Sequence, residues 1–207
     1  MAVAYSIVAS VVDITTDTPK PNDVFFVDSN VWYWLTYSRL GLSVAPPSPH
    51  QLRNYPQYVA KAYAANAKLL RCGLSLSELA HLIEKTEREI FGRTNQVVST
   101  KEFRHNLPAE RQKVVAEIQS AWAQVKSIAG SIDVTVNEPS TDTALADFST
   151  LPVDAYDLFM INAVKTAGIV KVVTDDGDYS SVPGIQIFTS NPAVLNAARL
   201  QGKLVNR

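Results

Sequence analysis

The chain has 207 residues, 46% of them apolar and 19% charged, with a net charge of −1. That length suits one domain with a sizeable core, and the near-zero charge excludes a general field for polyanions, so any nucleic-acid contact must come from a local basic patch. Cys72 is the only cysteine, which excludes an internal disulfide and a cysteine-based zinc site and points to a reducing, cytoplasmic setting.

In chain order, the apolar run at 4–12 reads as an extra strand at a sheet edge. It has no basic region ahead of it, so a signal peptide is not expected. No stretch reaches the ~18 apolar residues of a membrane span. After a polar loop comes Val24-Phe25-Phe26-Val27, an unbroken apolar run of the kind found in buried parallel strands. It leads straight into Asp28-Ser29-Asn30 and a helical pattern over about 31–40. Residues 45–49 are a proline-rich loop. The Ala-rich stretch 56–71 reads as a helix ended by Gly73, and 74–91 as a helix stopped by Gly92. Residues 93–107 lack a clear period and read as a basic loop.

Pro108 opens the clearest helix, closed by Gly130. Ile132, Val134 and Val136 alternate like a strand. Helices follow over 139–148 and 154–167, then strands over 169–173 and 185–188. Asn191-Pro192 starts a last helix over 192–201 by the cap-then-proline pattern. Six of the eight glycines (41, 73, 92, 130, 168, 202) fall just after a helical pattern, where a left-handed cap is expected. Helices alternating with short apolar strands indicate one α/β domain over 1–207 with a parallel sheet.

Asp28 would sit at the carboxyl end of a buried strand, where open α/β sheets place ligands. Three more acidic stations fall at comparable places: Glu78 near a helix start, Asp157 in a helical first turn with Asp154 one turn before it, and Asp175-Asp176-Gly177-Asp178 after strand 169–173. Each has a plainer reading. Ser75 and Glu78 fit a capping box, Asp154 and Asp157 suit a helix N-terminus, and the Asp-Asp-Gly-Asp run suits a turn. Asp28 could simply cap the helix that follows it. Together, four acidic clusters at one sheet edge would repel one another unless a cation joined them. Oxygen-only ligands suit Mg²⁺ or Mn²⁺.

Val27-Asp28-Ser29-Asn30-Val31, Leu76-Ser77-Glu78-Leu79-Ala80, Asp157 through Ala163 and Val173 through Tyr179, in that order, resemble the acidic motifs of PIN domains, including the VapC-type toxins. The resemblance spans about residues 24–190. It implies a three-layer α/β/α sandwich with a mainly parallel sheet and a Mg²⁺- or Mn²⁺-dependent ribonuclease acting on single-stranded RNA. It implies Asp28, Glu78, Asp157 and Asp176 as catalytic metal ligands, with Asp178 a further ligand and Asp154 the competitor of Asp157. Asn30 and Thr174 would support them. A toxin would also imply an antitoxin partner. The chain departs from the compact toxins in its length and in the wide spacing between Asp28 and Glu78.

Arg93, Lys101, Arg104 and Arg111 are the candidate RNA-binding residues, together with His105 and Lys113, and Phe103 lies among them as a base-stacking candidate. Trp32, Tyr33 and Trp34 read as core or as a homodimer face. His50, His81 and His105 read as structural or solvated. Two competing functions are a divalent-metal phosphohydrolase, which usually wants an acid where Asn30 stands, and a non-catalytic binding module that keeps the fold.

Overall fold

A computed structural model describes residues 3–207. Six strands form one sheet: β1 (Ser10–Asp13), β2 (Val24–Val27), β3 (Lys68–Cys72), β4 (Gly130–Ile132), β5 (Lys171–Val173) and β6 (Gln186–Thr189). Their spatial order is β1-β6-β5-β2-β3-β4, and every pairing is parallel. Eight helices connect them: α1 (Ser29–Thr36), α2 (Pro49–Ala64), α3 (Gly73–Thr94), α4 (Thr100–Asn106), α5 (Pro108–Ile128), α6 (Glu138–Phe148), α7 (Ala155–Thr166) and α8 (Pro192–Leu200).

Strand alternation divides the core between the two faces of the sheet. Phe25, Val27, Leu69, Val173 and Phe188 pack with Trp32, Tyr55, Tyr58, Leu79 and Val125 of α1, α2, α3 and α5. Phe26, Leu70, Val172 and Ile187 pack with Leu158, Ile161 and Val194 of α7 and α8. The result is the expected three-layer α/β/α sandwich. From β2 the chain moves to β3 on one side, whereas β5 leads to β6 on the other. The β2–β5 boundary is therefore a topological switch point, where the carboxyl ends of strands leave a crevice.

Several local expectations are corrected. The strand expected at 4–12 is instead the shorter Ser10–Asp13, an edge strand as expected. The presumed helix 56–71 is instead α2, a turn and β3. Asn66 takes the left-handed conformation (φ 59°) that ends α2, and Leu69 and Leu70 pair with β2. Gly73 opens α3, and Gly92 lies inside it. Gly41 falls in a 3-10 turn, and Gly130 begins β4. Gly168 and Gly202 do adopt the left-handed conformation just beyond α7 and α8. The strand expected at 132–136 is instead Gly130–Ile132.

The basic loop is largely helical. Ser99 Oγ accepts from the Glu102 N–H at 3.2 Å, and Glu102 Oε2 accepts from the Ser99 N–H at 2.8 Å. This capping box starts α4. Phe103 is fully buried against Phe91 and cannot stack a base. Trp32 is fully buried and Tyr33 nearly so, while Trp34 packs on Tyr55, so this aromatic run belongs to the core.

Beyond β1 the chain end returns to the sheet. Val11 accepts from the Val205 N–H at 2.8 Å, which brings Arg207 over the Phe188 ring, 4.6 Å from its centroid. The guanidinium donates to Asp17 and Asp23 at 2.7–2.9 Å, and the Tyr58 hydroxyl donates to Asp17 at 2.5 Å. Burial works to raise the Asp23 carboxyl, but hydrogen bonds from Arg207 and Lys171 outweigh it and hold the group well below the usual carboxylate range. Both acid side chains are only 1% exposed. Arg207→Ala would leave two buried carboxylates short of their main partner. Breaking a buried pair in this way costs about 3–5 kcal/mol, so the urea midpoint should fall markedly. A midpoint equal to that of the wild type would mean that the network contributes nothing.

Candidate functional site

The switch point assembles most of the acids expected from the sequence. Val27 pairs with Val173, which sets Asp28 beside Thr174. One Asp28 oxygen accepts from the Ser29 N–H at 2.6 Å and so caps α1. The other accepts from the Thr174 hydroxyl at 2.8 Å. Thr174 Oγ1 in turn accepts from the Asp176 N–H at 2.9 Å, and Asp176 Oδ1 accepts from the Asp178 N–H at 2.9 Å. Asp157 lies in the first turn of α7. Its N–H is capped by Asp154 at 2.9 Å, and its carboxylate accepts from the Tyr179 hydroxyl at 2.8 Å. Asp154 is therefore the cap and Asp157 the buried acid.

Glu78 is not a cap. Helix α3 begins at Gly73, five residues before it, and Ser75 Oγ accepts from the Cys72 N–H at 3.2 Å to close the helix start. That start lies far upstream because β3 runs directly into α3. The spacing from Ser75 to Glu78 matched a capping box without being one.

Asp28, Glu78, Asp154, Asp157 and Asp176 line a single cleft of about 650 Å³, with Ser29, Asn30, His81, Glu84, Arg104, Arg111 and Tyr156 also in its walls. The arginines belong to the cleft because Glu84, buried on α3, accepts from both: from Arg104 Nε at 2.7 Å and from Arg111 at 3.1 Å. Arg93 and Lys101 lie outside the lining. Arg93 donates to the Ser43 carbonyl, and Lys101 is exposed on α4. Asp178 also stands outside it. Asp175 is drawn away towards α2, where Gln51 and Tyr55 each donate to it at 2.6 Å.

The acids are strained electrostatically. Burial raises the Asp28 carboxyl from 3.8 to about 7, and the charges of Glu78 and Asp176 add to it, against the hydrogen bonds from Thr174 and Ser29. Burial raises Asp157 to about 8, with the charge of Asp28 adding and the Tyr179 hydrogen bond opposing. Glu78 and Asp176 are raised for the same first reason, with further like-charge repulsion from Asp154. The ion pairs of the described residues all engage other carboxylates. Ser29 Oγ is buried without a partner at hydrogen-bonding distance, yet is near enough to Glu78 to favour its charged form.

Sequence reasoning did not single out Tyr179, Ser29 or Glu84. Tyr179 directly follows the acidic run, a local hint of its role. Nothing local marks Glu84, which acquires its partners only when α3, α4 and α5 pack together. Among the described residues, no three Asp, Glu, His or Cys side chains converge, as they stand, on one point that a metal could occupy. The donor set is nevertheless of the right kind for a hard cation: carboxylates, with no cationic side chain paired to them.

Asp28 and Asp157 bind their protons more tightly in the folded chain than in the unfolded one. Their contribution to stability is greatest at low pH and is lost as pH rises from the ordinary 3.8 through about 7 and about 8. In EDTA, the melting temperature should therefore decline between pH 5 and pH 8 because of these groups. Asp28→Asn keeps the cap and removes a charge, so it should flatten that decline and melt several degrees higher at pH 8. Each kcal/mol moves the midpoint of a domain this size by roughly 2–4 °C. A variant that melts lower than wild type at pH 8 would mean that the charge of Asp28 stabilises the fold rather than straining it.

No protein-family model matches the chain, and no curated protein matches it. Among solved structures, the crystal structure of PAE2754 from Pyrobaculum aerophilum is similar over 92% of this chain and 96% of that one, at 12% identity and a TM-score of 0.39. At that level the likeness carries no argument about what this chain does.

Proposed function

We propose that the cleft is the active site of a divalent-metal-dependent endonuclease hydrolysing single-stranded RNA. The observation that carries this reading is the gathering of Asp28, Glu78, Asp157 and Asp176 in one cleft at the β2–β5 switch point with no cationic partner. Acids buried (Asp28, Asp157) or half-buried (Glu78, Asp176) and kept unpaired in this way are destabilising, and such groups concentrate at functional sites. The resemblance of the four motifs to PIN domains points the same way and supplies the substrate class.

These four residues would hold Mg²⁺ or Mn²⁺. When bound, such an ion supplies Lewis acidity towards a phosphoryl oxygen and lowers the pKa of a water. The remaining work falls to the chain itself. The Thr174 hydroxyl and the Ser29 N–H fix the Asp28 carboxylate, and the Tyr179 hydroxyl fixes that of Asp157. Their orientation is thus set before substrate arrives, as a preorganised site requires. The Arg104 and Arg111 side chains, 46% and 43% exposed, offer guanidinium donors to phosphate oxygens from the same cleft. Glu84 holds both in place. His81 lines the cleft and is exposed, and no carboxylate bonds to it to make it a base.

Single-stranded RNA should be cut with Mn²⁺ present and left intact in EDTA, and Mg²⁺ or Mn²⁺ should raise the melting temperature by linkage. Cleavage that survives saturating EDTA would remove the metal from the mechanism. Faster turnover of small phosphate esters than of RNA would make the protein a phosphohydrolase.

Glu78→Gln tests the least obvious ligand. Glu78 caps nothing, so the variant should melt no lower than wild type. A neutral amide binds hard cations poorly. Loss of a group that only orients a ligand typically costs 10–100-fold, so loss of a ligand itself should slow cleavage by about 100-fold or more. Cleavage at the wild-type rate would shrink the site to three acids.

A further inference from the structure

We infer that Tyr156 is a nucleobase-stacking platform at the rim of the acidic cleft, so that the substrate is held by one unstacked base as well as by its phosphates. The inference rests on the reading of the cleft as a ribonuclease site and adds to it the residue that recognises an unpaired base.

Seven of the eight tyrosines fall into two groups, and the eighth, Tyr5, is half-buried against Gly177. Tyr33, Tyr37, Tyr55, Tyr58 and Tyr179 are buried, and their hydroxyls bond to Thr86, Glu87, Asp175, Asp17 and Asp157. The first four have structural roles in the core, and Tyr179 holds Asp157. Tyr156 is 55% exposed, and Tyr63, exposed to a similar degree, lies on α2 outside the cleft. Tyr156 stands in the first turn of α7, between the cap Asp154 and the buried acid Asp157, and contributes to the cleft wall. The helix start that aims Asp157 inwards therefore also carries an aromatic ring at the opening.

The surroundings narrow what the ring can meet. The cleft combines six carboxylates, two half-exposed arginine side chains and the buried, unpartnered hydroxyl of Ser29. A ligand that suits these groups must carry anionic oxygens for the arginines and a flat apolar face for the ring. A nucleotide has both. Stacking on an aromatic ring tolerates any base, because every base presents a π-face, but the base must be out of a duplex to reach it. Phe103, the aromatic that lies among the basic residues, is buried and unavailable.

The test uses a short, fluorescently labelled single-stranded RNA of mixed sequence, the wild-type protein, and the Tyr156→Ala, Tyr156→Phe and Tyr156→Trp variants. With Mn²⁺, Tyr156→Ala should raise KM by about tenfold, the effect of losing one base stack. It should leave kcat within about twofold, and its melting temperature should stay unchanged. Phe and Trp should keep the wild-type KM. Replacing one nucleotide near the cut by an abasic sugar should raise the wild-type KM as much as the Ala substitution does. The two changes together should add nothing further. An unchanged KM for Tyr156→Ala overturns the inference, as does an abasic penalty equal in wild type and variant. Anisotropy of the same RNA bound to wild type and to Tyr156→Ala separates the two proposals. If wild type cleaves nothing but the Ala variant still binds more weakly, the nuclease reading fails and the platform stands. If neither cleavage nor a difference in binding is seen, both fail.

Discussion

The structure turns on one constraint: negative charge held at the carboxyl edge of a buried parallel sheet without positive charge to balance it. Asp28 follows β2 and is 3% exposed, and Asp157 is drawn in from α7 to 6%. Leaving a carboxylate in such a place is unfavourable unless it is neutralised or bound. Here hydrogen bonds do part of that work. Thr174, the Ser29 N–H and the Tyr179 hydroxyl each favour the ionised form, and burial still outweighs them.

Much of the neighbouring architecture holds these groups in place. The loop after β5 is tied at several points. Asp175 is held by Gln51 and Tyr55, its carbonyl accepts from Asn191, and Thr174 bonds to the Asp176 N–H. At Gly177 the fit is close enough that a Cβ would lie 2.2 Å from the Tyr5 ring. Any side chain there would push the Tyr5 ring aside. The segment before β1 thus lies against the loop carrying the fourth acid, and it is itself held through Gln201 and Ser180.

The Asp17–Asp23–Arg207 network shows the opposite arrangement from the same residue types. There each buried carboxylate meets a guanidinium, and Lys171 adds a second cation to Asp23. Glu84 is treated likewise by Arg104 and Arg111. A fold that pairs its buried acids in these places, yet leaves buried Asp28 and Asp157 and half-buried Glu78 and Asp176 unpaired in one cleft, has separated structural charge from charge held for a ligand.

The sequence by itself determined what depends on neighbours along the chain. The apolar run into Asp28, the cap and first turn at Asp154–Asp157, and the run after Val173 were all legible, because burial and capping leave local patterns. So was the parallel α/β class. Only the tertiary structure decided that Leu69 and Leu70 form a strand, because what makes them one is pairing with β2 and β4 rather than any periodicity of their own. The placing of Glu78 in the cleft, and the loss of its capping role, followed from that same strand, which moved the start of α3 back to Gly73. The burial of Phe103 and the gathering of Arg104 and Arg111 on Glu84 were decided the same way. Each depends on helices meeting across 10–30 residues of chain, a separation over which local pattern carries no information about which side chains touch.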